Sequence, residues 1–500
     1  MSSASSIRSQ RSTLTFQTAH TLTNRTVKSL PDPPPMIGDI YSHDVIPAMH
    51  ADLIHSFTQH SSLTNHGKLT CIRSRKRQLL ALARMIRENE ECILKNELGR
   101  PQFETQVYEI ASTLKEVHQT FKGLEKWARG GKQRGKGVVL IIPHSSYPLY
   151  TSFVPLASAI AAGNCAVLHI PSGHGWMGEL VGKYMDPDVV RAIETPLETL
   201  LPLTWAHIHF TGTRDVGKLI ACAAARHLTP TTLHLAGKSP LFLDSTSMST
   251  RTLVRAARKI LLAKSVNAGQ TIGVPDWVFV LGGEEERVVQ AFQNAHAKLF
   301  PNGSPPPAAF TRLVDTEAFD HVDSLLNRTK GQIVIGGETV REKRYVAPTV
   351  VRGVPSSDVL LQNKEGMMAP IIPIVPVERW EDAVEFLEKE EVRTVYVFSR
   401  DRAFRKRVLQ TTKSTNVVIN QTFIHGLHSS VGRAGFDTFS HHRGVLGNHG
   451  HSGARGSGFF HWILPTPLRY PYPPYSDAKL GLVKIAMFGS LGGPRFPAHV

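Results

Sequence analysis

From Val138 onward the chain repeats one pattern: a short run of β-branched and apolar residues, then a longer segment of helical spacing, then another short run. Val138–Ile142, Cys165–His169 and Ala206–Phe210 read as strands, with helices over about 151–162 and 216–226 between and after them. Strands that return through helices build a doubly wound α/β sheet. A second series runs from about Ser249 to Asn420, with strands at Trp277–Leu281, Gln332–Ile335, Ile371–Val375, Thr394–Ser399 and Asn416–Asn420 and a helix after Glu284. Between the two series lies Thr231–Trp277, in which two short alternating runs precede a long helix that breaks at Asn267-Ala268-Gly269. A break of that kind can carry an active-site residue. Upstream, a helix within Cys71–Leu98 stops at Gly99 and Pro101, and a second one places Val107, Ile110, Leu114, Val117, Phe121 and Leu124 on one apolar stripe that reads as core.

With 500 residues, 41% of them hydrophobic, the chain exceeds one ordinary core and implies about two to four domains. Its 4 cysteines have no paired spacing, which points to a reducing compartment and away from a disulfide framework or a zinc site. No apolar run approaches the ~20 residues of a membrane span. The net charge of +16 gathers at residues 73–77, 126–136 and 251–259, on or beside amphipathic helices without interleaved aromatic residues, so these read as solvated faces and not as a nucleic-acid surface. Residues 1–44 are rich in Ser and Thr, carry Arg8, Arg11, Arg25 and Lys28, and have no acidic residue before Asp32. Two readings stand: a disordered tail on a cytoplasmic protein, or an organellar transit peptide.

Two segments carry a family resemblance. LHLAGKSP at Leu233–Pro240 and NAGQTI at Asn267–Ile272 resemble the LELGGKSP and NAGQTC signatures of the aldehyde dehydrogenase superfamily, in its shorter, dimeric fatty-aldehyde-like branch. The likeness runs over roughly residues 48–485. It implies an α/β fold of two doubly wound domains, one a Rossmann-type cofactor domain and the other catalytic. The expected division is 1–45 as tail, 46–235 as the NAD(P)-binding-type domain with its N-terminal helix pair, 236–425 as the catalytic-type domain and 426–500 as a degenerate C-terminal segment.

The resemblance places the family's nucleophilic cysteine on Ile272 and its general-base glutamate on His234. An aldehyde yields hydride only once its carbonyl carbon is tetrahedral, and the family makes it so with a thiolate. Ile272 has no lone pair to offer. His234, with a reference pKa of about 6.5, could act as a base but would have no acyl group to release. The asparagine that holds the oxyanion in the family's PWNYP motif falls on Ser146 within Pro143-His144-Ser145-Ser146-Tyr147-Pro148, a shorter donor.

The implied cofactor is NAD or NADP, in a site part kept and part lost. Phe210–Gly217 resembles the FTGSxxVG turn, in which Gly212, Thr213 and Gly217 would bring backbone close to a pyrophosphate at a helix N-terminus. The lysine that meets the adenosine ribose falls on His169. In Lys364–Pro370, which resembles EEIFGP, the glutamate for the nicotinamide ribose and the phenylalanine behind the ring fall on Gly366 and Met368. Glu365 either shifts into that gap or is a solvated loop carboxylate. The resemblance also implies a homodimer, although the β-structure that helps form it is shortened to Gly131–Gly137. A Gly/His-rich insert, Gly444–His461, follows GFDTFSH before Leu468–Pro471 resumes the likeness; His441, His442, His449 and His451 read as loop histidines without metal geometry.

These substitutions lead to an aldehyde dehydrogenase-like protein without thiol-dependent oxidation: a pseudoenzyme, or a pathway protein that binds an aldehyde-like or dinucleotide ligand. The alternative is an active NAD(P)-dependent oxidoreductase with a non-standard nucleophile. A third class is a scaffold that pairs with an active relative.

Overall fold

The computed structural model describes residues 45–61, 69–96, 99–129, 133–363, 366–422 and 431–443. Residues 1–44, Glu365, His449, His451, the Gly444–His461 insert and Leu468–Pro471 lie outside them.

Three helices open the described chain: α1 (Val45–Ser61), α2 (Ile72–Glu88) and α3 (Glu90–Asn96). The single helix expected within Cys71–Leu98 is thus interrupted at Asn89, whose side-chain amide donates to the Met85 carbonyl and to the Tyr184 hydroxyl. The second expected helix begins with a π-helical segment, Thr105–Ala111, before continuing as α4 (Ser112–Trp127). Leu53, Leu79, Leu82, Ile86, Val117 and Leu124 are all buried between these helices and the first sheet. Each such side chain contributes about 1.5–3 kcal/mol.

Gln133–Gly135 forms β1. The first sheet then comprises β2 (Val138–Ile142), β3 (Cys165–His169), β4 (Val190–Ile193), β5 (His207–Gly212) and β6 (Thr231–Leu235), all parallel, in the order β4-β3-β2-β5-β6. Its helices are α5 (Pro148–Ala162), α6 (Gly175–Tyr184) and α7 (Arg214–Ala225). Every residue of β2 is buried, the pattern of a central parallel strand covered on both faces.

The chain then crosses to a sheet of seven strands: β7 (Pro240–Leu243), β8 (Trp277–Leu281), β9 (Gln332–Ile335), β12 (Thr349–Arg352), β13 (Ile371–Val377), β14 (Thr394–Phe398) and β15 (Asn416–Ile419), with a β10–β11 hairpin (Thr339–Val340, Tyr345–Val346) beside it. The order is β15-β14-β7-β8-β13-β12-β9, and only β9 runs antiparallel to its neighbour. Helices α8 (Thr250–Ser265) and α9 (Glu285–Leu299) cover one face, and α10 (Thr316–Arg328), α11 (Trp380–Glu388) and α12 (Arg402–Thr411) cover the other. This is an α/β fold of two doubly wound sheets. The last described residues, α13 (Gly432–Thr438) and β16 (Ser440–His442), return to the first sheet's lobe: β16 pairs with β1, and Phe436 and Phe439 enter its core. His441 and His442 therefore stand on a strand and not in a loop. Among the described residues, no helix is long and apolar enough to cross a membrane.

Candidate functional site

The break expected after the long helix is real and unusually tight. Asn267, Ala268 and Gly269 follow one another in the left-handed region, with φ of 53°, 50° and 70°. For a non-glycine residue this costs about 1–2 kcal/mol. At Gly269 a side chain would also collide with the Ala369 carbonyl. The side chains of Asn267 and Gln270 hold the turn. The Asn267 side chain accepts from Arg100 Nε at 3.0 Å and donates to the carbonyls of Ser146 at 3.0 Å and Gln270 at 3.1 Å. Its backbone N–H donates to Glu104 Oε2 at 2.9 Å. The Gln270 amide reaches the Asn267 and Arg312 carbonyls and accepts from Val314 N.

Behind this turn lies a buried ion pair that the sequence reading passed over. Arg100 Nη1 is 3.2 Å from Glu109 Oε1, with both side chains at 0% exposure, so neither charge has water to fall back on. Arg100 Nη2 donates to the Ser146 carbonyl at 2.7 Å, and Glu109 Oε2 accepts from Tyr150 N at 2.8 Å. Burial pushes the nearby Glu104 carboxyl above its usual range, against the opposing pull of the Asn267 amide and Arg100. The signal was present as a polar stripe: Thr105, Glu109, Ser112, Thr113, Glu116 and Thr120 are buried at helical spacing beside the apolar one.

Ser146 and the Ile272 turn are brought together. Besides the Asn267 contact, Thr271 Oγ1 donates to the Tyr147 hydroxyl at 3.0 Å. Ile272 is half-buried on that turn, and Ser146 is buried, its hydroxyl 2.6 Å from His144 Nδ1. His234 stands apart on β6, facing outward, with its ring centroid 5.1 Å from that of His209. Desolvation by the groups around the ring and, after it, the Arg393 guanidinium lower its pKa from the ordinary value.

At the β5–α7 junction Thr213 is the N-cap residue and makes no side-chain capping bond. Space at the two glycines is used internally: a Cβ on Gly212 would lie 2.5 Å from the Phe210 ring, and one on Gly217 would lie 2.5 Å from Leu235 Cδ2. Gly217 thus serves helix–strand packing as much as access. His169 Nε2 lies 2.9 Å from the Thr195 carbonyl, while its buried Nδ1 has no partner. Burial lowers the His169 pKa, with Thr195 and Glu194 opposing.

Gly366 has a physical reason to be glycine. Its φ is +84°, and a Cβ would lie 2.6 Å from Asp276 Oδ2. Asp276 is held there by Ser239 N at 2.7 Å, Met367 N at 2.7 Å and Lys264 at 3.4 Å. Lys264 also donates to the Met367 carbonyl. Met368 follows, half-buried.

Comparison with known proteins agrees with this architecture. A family model described as the aldehyde dehydrogenase family matches residues 50–438. Aldehyde dehydrogenase family 3 comG of Dictyostelium discoideum is 32% identical over 449 residues, which is 81% of this chain and 92% of that one. A Rattus norvegicus protein named "Aldehyde dehydrogenase, dimeric NADP-preferring" is 31% identical over 422 residues, 76% of this chain and 91% of its own. Among solved structures, the substrate-bound state of Staphylococcus aureus AldH superposes with a TM-score of 0.74 at 27% identity, covering 84% of this chain and 98% of that one. Two doubly wound sheets and a left-handed turn whose Asn267 donates to the Ser146 carbonyl agree with a match over most of the chain to relatives above 30% identity, and this chain belongs to the aldehyde dehydrogenase family.

Proposed function

We propose that this family member binds a dinucleotide or an aldehyde-like ligand without thiol-dependent aldehyde oxidation. One observation carries the reading: the turn that Asn267, Arg100 and Gln270 hold so tightly delivers a hydrocarbon side chain, Ile272, where the family resemblance expects a thiolate. Losing the nucleophile in a comparable acyl-transfer enzyme costs on the order of 10⁴–10⁶ in turnover. The other positions support the same view. The Ser146 hydroxyl is engaged by His144, and His234 is exposed on β6.

The residues fit one end of a dinucleotide better than the other. The uncapped N-terminus of α7 and the unpartnered Nδ1 of His169 suit a pyrophosphate and a ribose hydroxyl, so Thr213, Gly217 and His169 would hold the adenosine half of NAD or NADP. At Gly366 the Asp276 carboxylate fills the space a glutamate would need. A bound nicotinamide would supply a hydride acceptor; on this reading the chain's own residues only bind and orient. Residues 46–235 and 236–425 are taken as the nucleotide-binding and catalytic-type domains, and a homodimer follows from the relative named as dimeric.

Purified protein given NAD, NADP and a panel of aldehydes should show no NAD(P)H production above background, while calorimetry should register cofactor binding. Steady NAD(P)H production at ordinary enzyme rates overturns the proposal, and absence of heat with every ligand leaves a pure scaffold in its place.

A further inference from the structure

In the second sheet β14 and β7 lie side by side, and their connections leave in opposite directions: β7 runs through α8 to β8 on one side, and β14 runs through α12 to β15 on the other. Those two helices cover opposite faces, and open α/β sheets take ligands at such a switch point, past the carboxyl ends of the strands. A crevice of about 300 Å³ opens there, lined by Asp244, Thr246 and Ser247 after β7, Trp380 at the start of α11, and Phe404 and Arg407 of α12. Its floor is held from both strands. Ser399 Oγ donates to Asp244 Oδ2 at 2.6 Å, and Ser247 Oγ accepts from Arg400 N at 3.0 Å while donating to the Asp244 carbonyl at 3.1 Å. The segment that carries Ile272 enters β8 at its amino end, so this crevice lies on the opposite edge of the sheet from that turn.

The lining combines an aromatic wall with cations. The half-buried Trp380 ring stands 4.9 Å from that of Phe404. Arg400, Arg402, Lys406 and Arg407 are exposed on α12 and the turn before it, and among the described residues only Arg407 of these forms an ion pair, with Glu381 at 3.4 Å. Both members of that pair are more than half exposed, so it is weak and yields to a phosphate. The two carboxylates of the crevice are already engaged: Asp244 also accepts from Thr246 Oγ1 at 2.7 Å, and Asp401 caps α12 by accepting from Ala403 N at 2.8 Å and Phe404 N at 3.2 Å. The end of α12 is thus taken by its own cap, which leaves the basic side chains as partners for an anion. We propose that this crevice binds a purine mononucleotide, its base against Trp380 and its phosphate on Arg407, in the field of Arg400, Arg402 and Lys406. Stacking needs only the π-face of a base, and a guanidinium meets phosphate oxygens with paired N–H donors. The volume stands at the small end for small-molecule sites, which fits a mononucleotide and falls short of a dinucleotide.

The full-length protein is irradiated with an azido-substituted adenosine monophosphate, and the label is mapped by peptide mass while unlabelled adenosine monophosphate competes. Label is expected within residues 380–407, and the concentration of competitor that protects this segment should rise with added salt. Arg407→Glu changes an exposed side chain, so it should keep the wild-type thermal melt yet need at least about tenfold more competitor for the same protection. Trp380→Leu keeps apolar bulk without the indole ring and should lose about as much. Folded protein with no label in this segment, or both variants protected at the wild-type concentration, overturns the proposal. Label confined to residues 169–217 overturns it as well but leaves the dinucleotide reading standing, so the two fail separately.

Discussion

The turn at Asn267–Gln270 and the His169–His209 region of the first sheet are built on opposite principles. At the turn, the side-chain amides of Asn267 and Gln270 have partners on both their oxygen and their nitrogen. In the sheet, His169 Nδ1 and His209 Nδ1 are buried without one. An unpaired buried polar atom costs about 1–3 kcal/mol, so the first region is complete in its own hydrogen bonds and the second leaves that cost standing. The hydrogen bonds that hold the turn do not involve the side chain at position 272, so the frame alone says little about chemistry.

The contrast is broken most severely by Arg100→Ala. It strands the Glu109 carboxylate in a dry interior and releases Asn267 and Ser146 together, and should cost about 3–5 kcal/mol in urea unfolding. A loss below about 1 kcal/mol would mean that the turn holds itself. Next is Ile272→Cys combined with His234→Glu, which puts a nucleophile on an unaltered turn. If the first sheet binds dinucleotide, aldehyde-dependent NAD(P)H production should rise about 100-fold over background. A third test restores the other missing carboxylate. Gly366→Glu forces a left-handed backbone and a clash with Asp276, so it should destabilise by about 2 kcal/mol and bring no gain in cofactor affinity by calorimetry.

A further test concerns pH. His209 is held at about 3 by burial first and then by His234 and His207, well below the ordinary 6.5. Between those values the unfolded chain carries the extra proton, so its contribution is complete above pH 6.5 and is lost as pH falls, at up to about 1.4 kcal/mol per pH unit. His209→Leu should flatten the acid limb of a stability–pH curve measured by denaturant unfolding, and an unchanged limb would place the titration elsewhere.

Much of this was legible in the chain. The strands Cys165–His169 and Trp277–Leu281 fall where the apolar runs are, because parallel strands buried on both faces leave a local signature, and the more exposed edge strands Thr231–Leu235 and Gln332–Ile335 also fall where their short runs place them. The helix break at Asn267 was readable too, although its threefold left-handed geometry was not. The π-helical segment at Thr105–Ala111, the Asn89 interruption and the β1–β16 pairing were missed, since each depends on partners distant in sequence: Glu109 faces Arg100 and Tyr150, Asn89 meets Tyr184, and Gln133–Gly135 pairs with Ser440–His442.

The candidate site divides in the same way. Residue identity alone determined that position 272 has no sulfur and position 366 no carboxylate, because no folding can supply an atom a side chain lacks. Tertiary structure decided the rest: that the Ser146 hydroxyl turns to His144, that His234 faces outward beside His209, and that Asp276 fills the room at Gly366. Direction, burial and partners are properties of the packed chain, set by which distant segments exclude water from one another.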